Sequence, residues 1–95
     1  MSADRIARRL RIHGLVQRVY YRGWTVETAQ ALGLDGWVRN RIDGTVEALA
    51  VGPDAAVEAL IAACHKGPAA ARVDLVEVEE AIGIVEEGFT QKPTV

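Results

Sequence analysis

The stretch Leu34-Asp35-Gly36-Trp37-Val38-Arg39-Asn40-Arg41-Ile42-Asp43-Gly44-Thr45-Val46-Glu47-Ala48-Leu49-Ala50-Val51 reads as a β-hairpin, and the patterns on either side of it decide the fold. Leu34 to Arg41 is the first strand, with Trp37 as a strand-favouring anchor. Asp43-Gly44 is a strong hairpin-turn signal. Thr45 to Val51 returns, and its Val46, Ala48 and Ala50 share one face, small enough for a helix to pack closely on it. Upstream, Arg8 to His13 alternates, with Leu10 and Ile12 on one face and Arg9, Arg11 and His13 on the other, so a half-buried strand is expected there, ended by Gly14. From Arg22 to Leu32 the period changes: Thr25, Ala29 and Leu32 fall on one helical face, and Gly33 stands where a helix C-cap belongs. Downstream, Gly52-Pro53-Asp54 starts a second helix, with proline in the first turn and an acid near the positive dipole end. Val57, Leu60, Ile61 and Cys64 form its buried stripe, and Gly67-Pro68 stops it. Arg72 to Glu80 is another strand whose alternation slips between Leu75 and Val76, the mark of a bulge or a register change. Phe89 to Gln91 has room for a short edge strand, ended by Pro93.

The order is β-α-β-β-α-β, with a short fifth strand at the end. This is the α+β, ferredoxin-like split βαβ arrangement, in which two helices cover one face of an antiparallel sheet. Residues 1–95 are expected to form one domain. The helix-free face is expected to keep Arg9, Arg11 and Glu47 in water.

Composition narrows the function classes. Apolar residues are 49% of the chain, enough for a core without a metal or disulfide staple. Net charge is −2, which makes no electrostatic case for nucleic-acid binding. The single cysteine, Cys64, rules out a disulfide within the chain and points to a reducing, cytoplasmic setting. No apolar run approaches the roughly 20 residues of a membrane span. Met1 to Leu10 is arginine-rich without an apolar core, so it does not read as a secretory signal.

Two places look like chemistry. Gly14-Leu15-Val16-Gln17-Arg18-Val19-Tyr20-Tyr21-Arg22 is a loop that ends on an arginine at a helix start. Converging N–H groups, a guanidinium and the helix dipole suit a bound phosphate. The same spacing also describes an ordinary strand-to-helix turn with a solvated arginine. Asn40 stands at a strand end, where its amide can accept from a water and donate to a substrate oxygen; it also serves simply to prepare the turn that follows. His13 and His65 have no carboxylate or cysteine at ligand spacing, so no metal site is expected, and Cys64 reads as a core residue. Neither G-x-x-x-x-G-K-[ST] nor G-x-G-x-x-G occurs, leaving no support for nucleotide binding by those loops.

Taken together, these residues resemble the acylphosphatase family, whose signature runs G-x-V-Q-G-V-x-F-R, a helix, G-L-x-G-W-V-x-N, D-G-x-V and a G-P helix start. The matching stretches here are Gly14 to Arg22, then Gly33-Leu34-Asp35-Gly36-Trp37-Val38-Arg39-Asn40, then Asp43-Gly44-Thr45-Val46, then Gly52-Pro53. The resemblance runs roughly from Leu10 to Val76, with several motifs in the right order and gaps. It implies metal-independent hydrolysis of acyl phosphates to a carboxylate and inorganic phosphate. Arg22 is then the catalytic phosphate-binding residue and Asn40 positions the nucleophilic water, while Val16, Gln17, Arg18, Val19, Tyr20 and Tyr21 form the phosphate-binding loop. It implies no cofactor and a small-molecule acyl phosphate as substrate; a monomer is the expectation for a domain without an evident apolar outer stripe.

Two departures stand out. Arg18 replaces the family's second loop glycine; its side chain either points harmlessly to solvent or adds positive charge that recruits anionic substrates. Tyr21 replaces a phenylalanine, so a hydroxyl needs a partner. Two other functions fit the same fold class less well. A non-catalytic phosphate-binding module, like the acylphosphatase-like domain at the start of larger carbamoyl-transferring maturation proteins, would come with further domains. This chain ends soon after the domain and adds no zinc-finger cysteines, the pattern of a free-standing enzyme. An RNA-binding ferredoxin-like domain would need exposed sheet aromatics and a basic surface, whereas aromatics are 5% of the chain and its charge is acidic.

Overall fold

The central hairpin forms as expected, and both helices lie against it. A computed structural model describes residues 5–95; the first four residues of the arginine-rich N-terminal stretch lie outside the described residues. The order is β1 Arg5–Leu15, α1 Tyr21–Ala31, β2 Asp35–Asn40, β3 Val46–Pro53, α2 Asp54–Cys64, β4 Arg72–Glu80 and β5 Phe89–Gln91. β1 is longer than the alternation suggested and continues through Gly14, which pairs with Val73 of β4.

The sheet order is β4-β1-β3-β2-β5. The first four strands pair antiparallel, as expected. β5 corrects the expected antiparallel sheet: it pairs parallel to β2, with Gly36 opposite Phe89 and Val38 opposite Gln91, so the sheet is mixed. The cause is topological. β4 and β5 stand on opposite edges, so the segment between them crosses the whole sheet and returns in the direction of β2.

The core lies between the sheet and the helices. Leu10 and Ile12 of β1, Val46, Ala48 and Ala50 of β3 and Val38 of β2 meet Val57, Leu60, Ile61 and Cys64 of α2 and Tyr21 and Ala29 of α1. Alanines at 48 and 50 let α2 approach β3 closely, and each is fully buried. The β4 bulge is present, one residue earlier than the alternation placed it. His13 pairs with Leu75 and Gly14 with Val73, so Asp74 is the extra residue, and the side chains that turn inward are Val73 and Val76. Gly14, at φ 127°, is required here, because a Cβ would run into the Arg72 carbonyl.

The outer face differs from expectation in two ways. Residues 81–88 lie across one end of it, where Ala81, Val85 and Trp37 cover Ala7, Leu49 and Val51. At the other end Glu47, expected in water, is 4% exposed. Its carboxylate accepts from Arg39 Nε at 2.8 Å and Arg41 Nη1 at 2.9 Å, and Arg9 Nε stands 3.7 Å away. Neighbouring strands place their long arginine stems over it, so the carboxylate is buried by the side chains that neutralise it.

Candidate active site

The loop between β1 and α1 meets the end of β2 at a cavity of about 200 Å³. Of the residues singled out in the sequence, Val16, Arg18, Tyr20, Tyr21, Arg22 and Asn40 line it. Gln17 and Val19 do not. Gly23 and Gln91 line it as well and were not singled out.

The loop backbone is unusual in hand. Arg18 has φ 64° and Tyr20 has φ 68°, and both are left-handed, while Val19 between them is not. Alternation of this kind is how short loops curl their N–H groups around an anion. Tyr20 is also the N-cap of α1, with no side-chain cap hydrogen bond and no acidic residue in the first turn. The helix therefore begins with N–H groups that no side chain satisfies, and its partial positive charge faces the cavity unopposed. Arg22 sits in that first turn, half-buried, and makes no ion pair among the described residues.

Asn40 closes β2. It is 8% exposed, and its Oδ1 has no hydrogen-bond partner among the described residues. A buried amide oxygen without a partner costs free energy unless something fills its acceptor position. Its backbone is held from both sides. Asn40 pairs with Val46, and its carbonyl accepts the Val95 N–H at 3.2 Å, while the Val95 carbonyl accepts the Ile42 N–H at 2.8 Å.

The remaining loop residues act by support. Gln17 Nε2 donates to the carbonyls of Arg41 (2.8 Å) and Thr45 (2.9 Å), tying the loop to the β2–β3 turn. That turn is itself closed by Asp43 Oδ1, which accepts from the Thr45 N–H and hydroxyl; these bonds hold the Asp43 carboxyl below its ordinary range. Val19 packs against the core and Val16 is part of it. Tyr21 is buried: its hydroxyl donates to the Cys64 carbonyl at 2.7 Å, and its ring meets Trp24 edge-on with centroids 5.4 Å apart. The extra hydroxyl relative to phenylalanine has found a partner in the last turn of α2, and burial raises its pKa far above the ordinary tyrosine value. Only the backbone of Tyr21 is free to serve the cavity. Cys64, fully buried, has its thiol pushed up to about 11 by burial, and it takes no part in the site.

Chemically, the cavity is lined by two arginines, Arg18 and Arg22, that make no ion pair among the described residues, by an uncapped helix start, and by Asn40, whose buried Oδ1 has no partner among those residues. No group of three or more His, Cys, Asp or Glu side chains that could hold a metal occurs among the described residues. No helix there is long and apolar enough to cross a membrane. Gly23 carried a faint signal, being a glycine inside a helical pattern directly after the arginine. Gln91 carried none, because only the parallel pairing of β5 beside β2, which sets it opposite Val38, brings it to the cavity that Asn40 lines.

The family model described as Acylphosphatase matches residues 8–91. A curated acylphosphatase of Rhizorhabdus wittichii is 61% identical over 92 residues, covering 97% of this chain and 93% of the relative. One of an Acidovorax species is 61% identical over 94 residues, covering 99% and 97%. The crystal structure of the acylphosphatase from Bacillus subtilis superimposes with a TM-score of 0.87 at 31% identity, covering 92% of this chain and 98% of that one.

Proposed function

This chain belongs to the acylphosphatase family of enzymes, which hydrolyse acyl phosphates, and from that premise we propose that Arg22 and Asn40 carry the reaction without a metal. The observation that supports this most is the pairing of Asn40 Oδ1, buried with no partner among the described residues, with the uncapped α1 start and Arg22 in one cavity.

In this reading the phosphoryl group lies against the N–H groups of residues 16–21, with the Arg22 guanidinium on its oxygens. As charge spreads over the three equatorial oxygens, donors already in place stabilise it without reorganising. Arginine keeps its charge at every physiological pH, so the cradle does not titrate. Asn40 Oδ1 accepts a hydrogen bond from the attacking water and aims its lone pair at phosphorus, opposite the acyl oxygen. The P–O bond to the acyl group breaks, its electron pair leaves with the carboxylate, and the new P–O bond comes from water. The carboxylate is a weak base and leaves without protonation, so no strong general acid is required. The water's proton passes to a phosphate oxygen of the substrate. The buried free thiol of Cys64 suits a reducing, cytoplasmic compartment.

The test is hydrolysis of benzoyl phosphate by the wild type, Arg22→Ala and Asn40→Ala, each with and without a chelator. Each substitution is expected to lower kcat/KM by at least about 100-fold, the scale set by removing one preorganised transition-state donor. Chelator is expected to change nothing. Undiminished turnover in either variant removes that residue from the mechanism, and loss of activity with chelator removes metal independence.

A further inference from the structure

The cavity has a wall that the phosphate chemistry does not use. Tyr20 is 62% exposed, yet it lines the same cavity as Arg22 and Asn40. Its ring is not free to swing. The hydroxyl donates to Glu27 Oε2, about two turns further along α1, at 2.6 Å. The ring itself lies against Gly23, where an added Cβ would overlap the aromatic edge and meet the ring's Cζ at 2.6 Å. The left-handed backbone of Tyr20, costly for any residue but glycine, sets the direction from which the ring reaches this position. A strained residue, a glycine beneath it and a carboxylate at its tip together hold one aromatic face at the rim. The other lining tyrosine, Tyr21, spends its ring in the core.

Size says which part of a ligand meets this wall. About 200 Å³ is smaller than ordinary ligand pockets of roughly 300–1,000 Å³, so the phosphoryl group fills the inner end and the rest of the molecule lies along the rim. We infer that Tyr20 is a specificity-determining residue whose ring packs against the acyl half of the substrate and favours planar or aromatic acyl groups over short aliphatic ones. This rests on the acyl phosphate reading of the site. Offset stacking on a fixed ring costs little ordering, and one good aromatic contact is worth up to about a tenfold preference.

The experiment compares kcat/KM for benzoyl phosphate and acetyl phosphate in the wild type, Tyr20→Phe, Tyr20→Gly and Glu27→Ala. Glycine accepts the left-handed backbone at position 20, and Glu27→Ala leaves that residue intact while releasing its ring. The benzoyl-to-acetyl ratio is expected to fall about tenfold in Tyr20→Gly, less in Glu27→Ala, and to stay within about twofold in Tyr20→Phe. A ratio unchanged in Tyr20→Gly and Glu27→Ala overturns the inference. Calorimetric binding of phenylphosphonate and methylphosphonate separates this from the hydrolytic reading. Equal affinity of the wild type for both overturns the acyl wall while leaving hydrolysis standing. A wild type that turns over neither acyl phosphate, yet prefers phenylphosphonate and loses the preference in Tyr20→Gly, overturns hydrolysis while sustaining the wall.

Discussion

Arg18 sits at φ 64° with its side chain exposed, lining the rim of the cavity and making no ion pair among the described residues. The geometry answers why the family's pattern has glycine there: the backbone is left-handed, where an L side chain costs about 1–2 kcal/mol. Glycine would relieve that strain and lose part of the gain to the greater freedom of its unfolded chain. Arg18→Gly is therefore expected to stabilise the fold by up to about 1 kcal/mol, read as a higher urea midpoint. An unrelaxed backbone would leave the midpoint unmoved. A second arginine at the rim also attracts anions from solution, so the same variant is expected to show a weaker fall of kcat/KM with added salt. An unchanged salt slope ends the recruitment reading and leaves Arg18 merely tolerated. At this scale the sequence was legible wherever a residue type was costly in its place: an arginine for a glycine, an asparagine at a strand end, an arginine opening a helix. Gln17 was legible as a member of the loop but not as its tether, because its two carbonyl partners lie on another hairpin.

Elements show a different balance. The α2 stripe of Val57, Leu60, Ile61 and Cys64 is buried as its spacing required, since helix period alone places those four side chains together. In β3 the same kind of reading misjudged Glu47. Alternation correctly put it on the helix-free face, but its burial depends on Arg39 and Arg41, which other parts of the hairpin supply. Burial by itself would raise the Glu47 carboxyl; the hydrogen bonds and charges of Arg39 and Arg41 outweigh it and hold the pKa below the ordinary glutamate value. A carboxyl depressed in the folded state binds its proton more weakly there than in the unfolded chain. Its stabilisation is therefore present above the unfolded pKa, about 4.3, and is lost as pH falls through the lower folded value. Glu47→Gln is expected to cost about 2 kcal/mol at pH 7, because three arginines lose their common acceptor charge. The gap between variant and wild type should begin to narrow below about pH 4.3 and go on narrowing as pH falls through the lower folded value, where the wild-type carboxyl becomes protonated too. Thermal unfolding from pH 7 to pH 3 checks this; a gap independent of pH would mean that packing, not charge, accounts for the loss. β2 has its own fixed point in Gly36. At φ 134° it passes so close to β3 that a Cβ would collide with the Leu49 carbonyl.

The whole molecule is organised by one crossing. Residues 81–88 carry the chain over the outer face from the β4 edge to the β5 edge, anchored by Val85 and Ala81 on Ala7, Leu49 and Val51 beside Trp37. Trp37 in turn lies beneath the Arg39 guanidinium, 4.6 Å from its ring centre. Asp35 fastens the far end: it accepts the Gly88 N–H at 2.7 Å and pairs with Arg5 at 2.7 Å, and these bonds hold its carboxyl below the ordinary range. The crossing delivers the chain to β5, only three residues long, where Gln91 stands opposite Val38 and lines the same cavity as Asn40. Val85→Asp is expected to cost about 1–2 kcal/mol, by placing a charge against the apolar patch, and to raise KM for acyl phosphates as β5 loosens. Urea unfolding and steady-state kinetics check the two parts. A lowered midpoint with unchanged KM would show that β5 keeps its place without the crossing.

The sequence by itself determined the order of strands and helices, the buried stripe of α2 and the central hairpin, and it singled out the loop ending at Arg22 and the strand-end Asn40 as candidates. All of these follow from local periodicity, turn chemistry and motif spacing, which act over a few neighbouring residues. The tertiary structure alone decided the parallel β5, the burial of Glu47 under arginines from other strands, the tether from Gln17 and the place of Gln91. Each depends on partners distant in the chain, whose proximity is set by how the sheet closes its edges and how its outer face is covered. No local pattern carries that information, because the free energy that fixes it arises only when the distant segments meet.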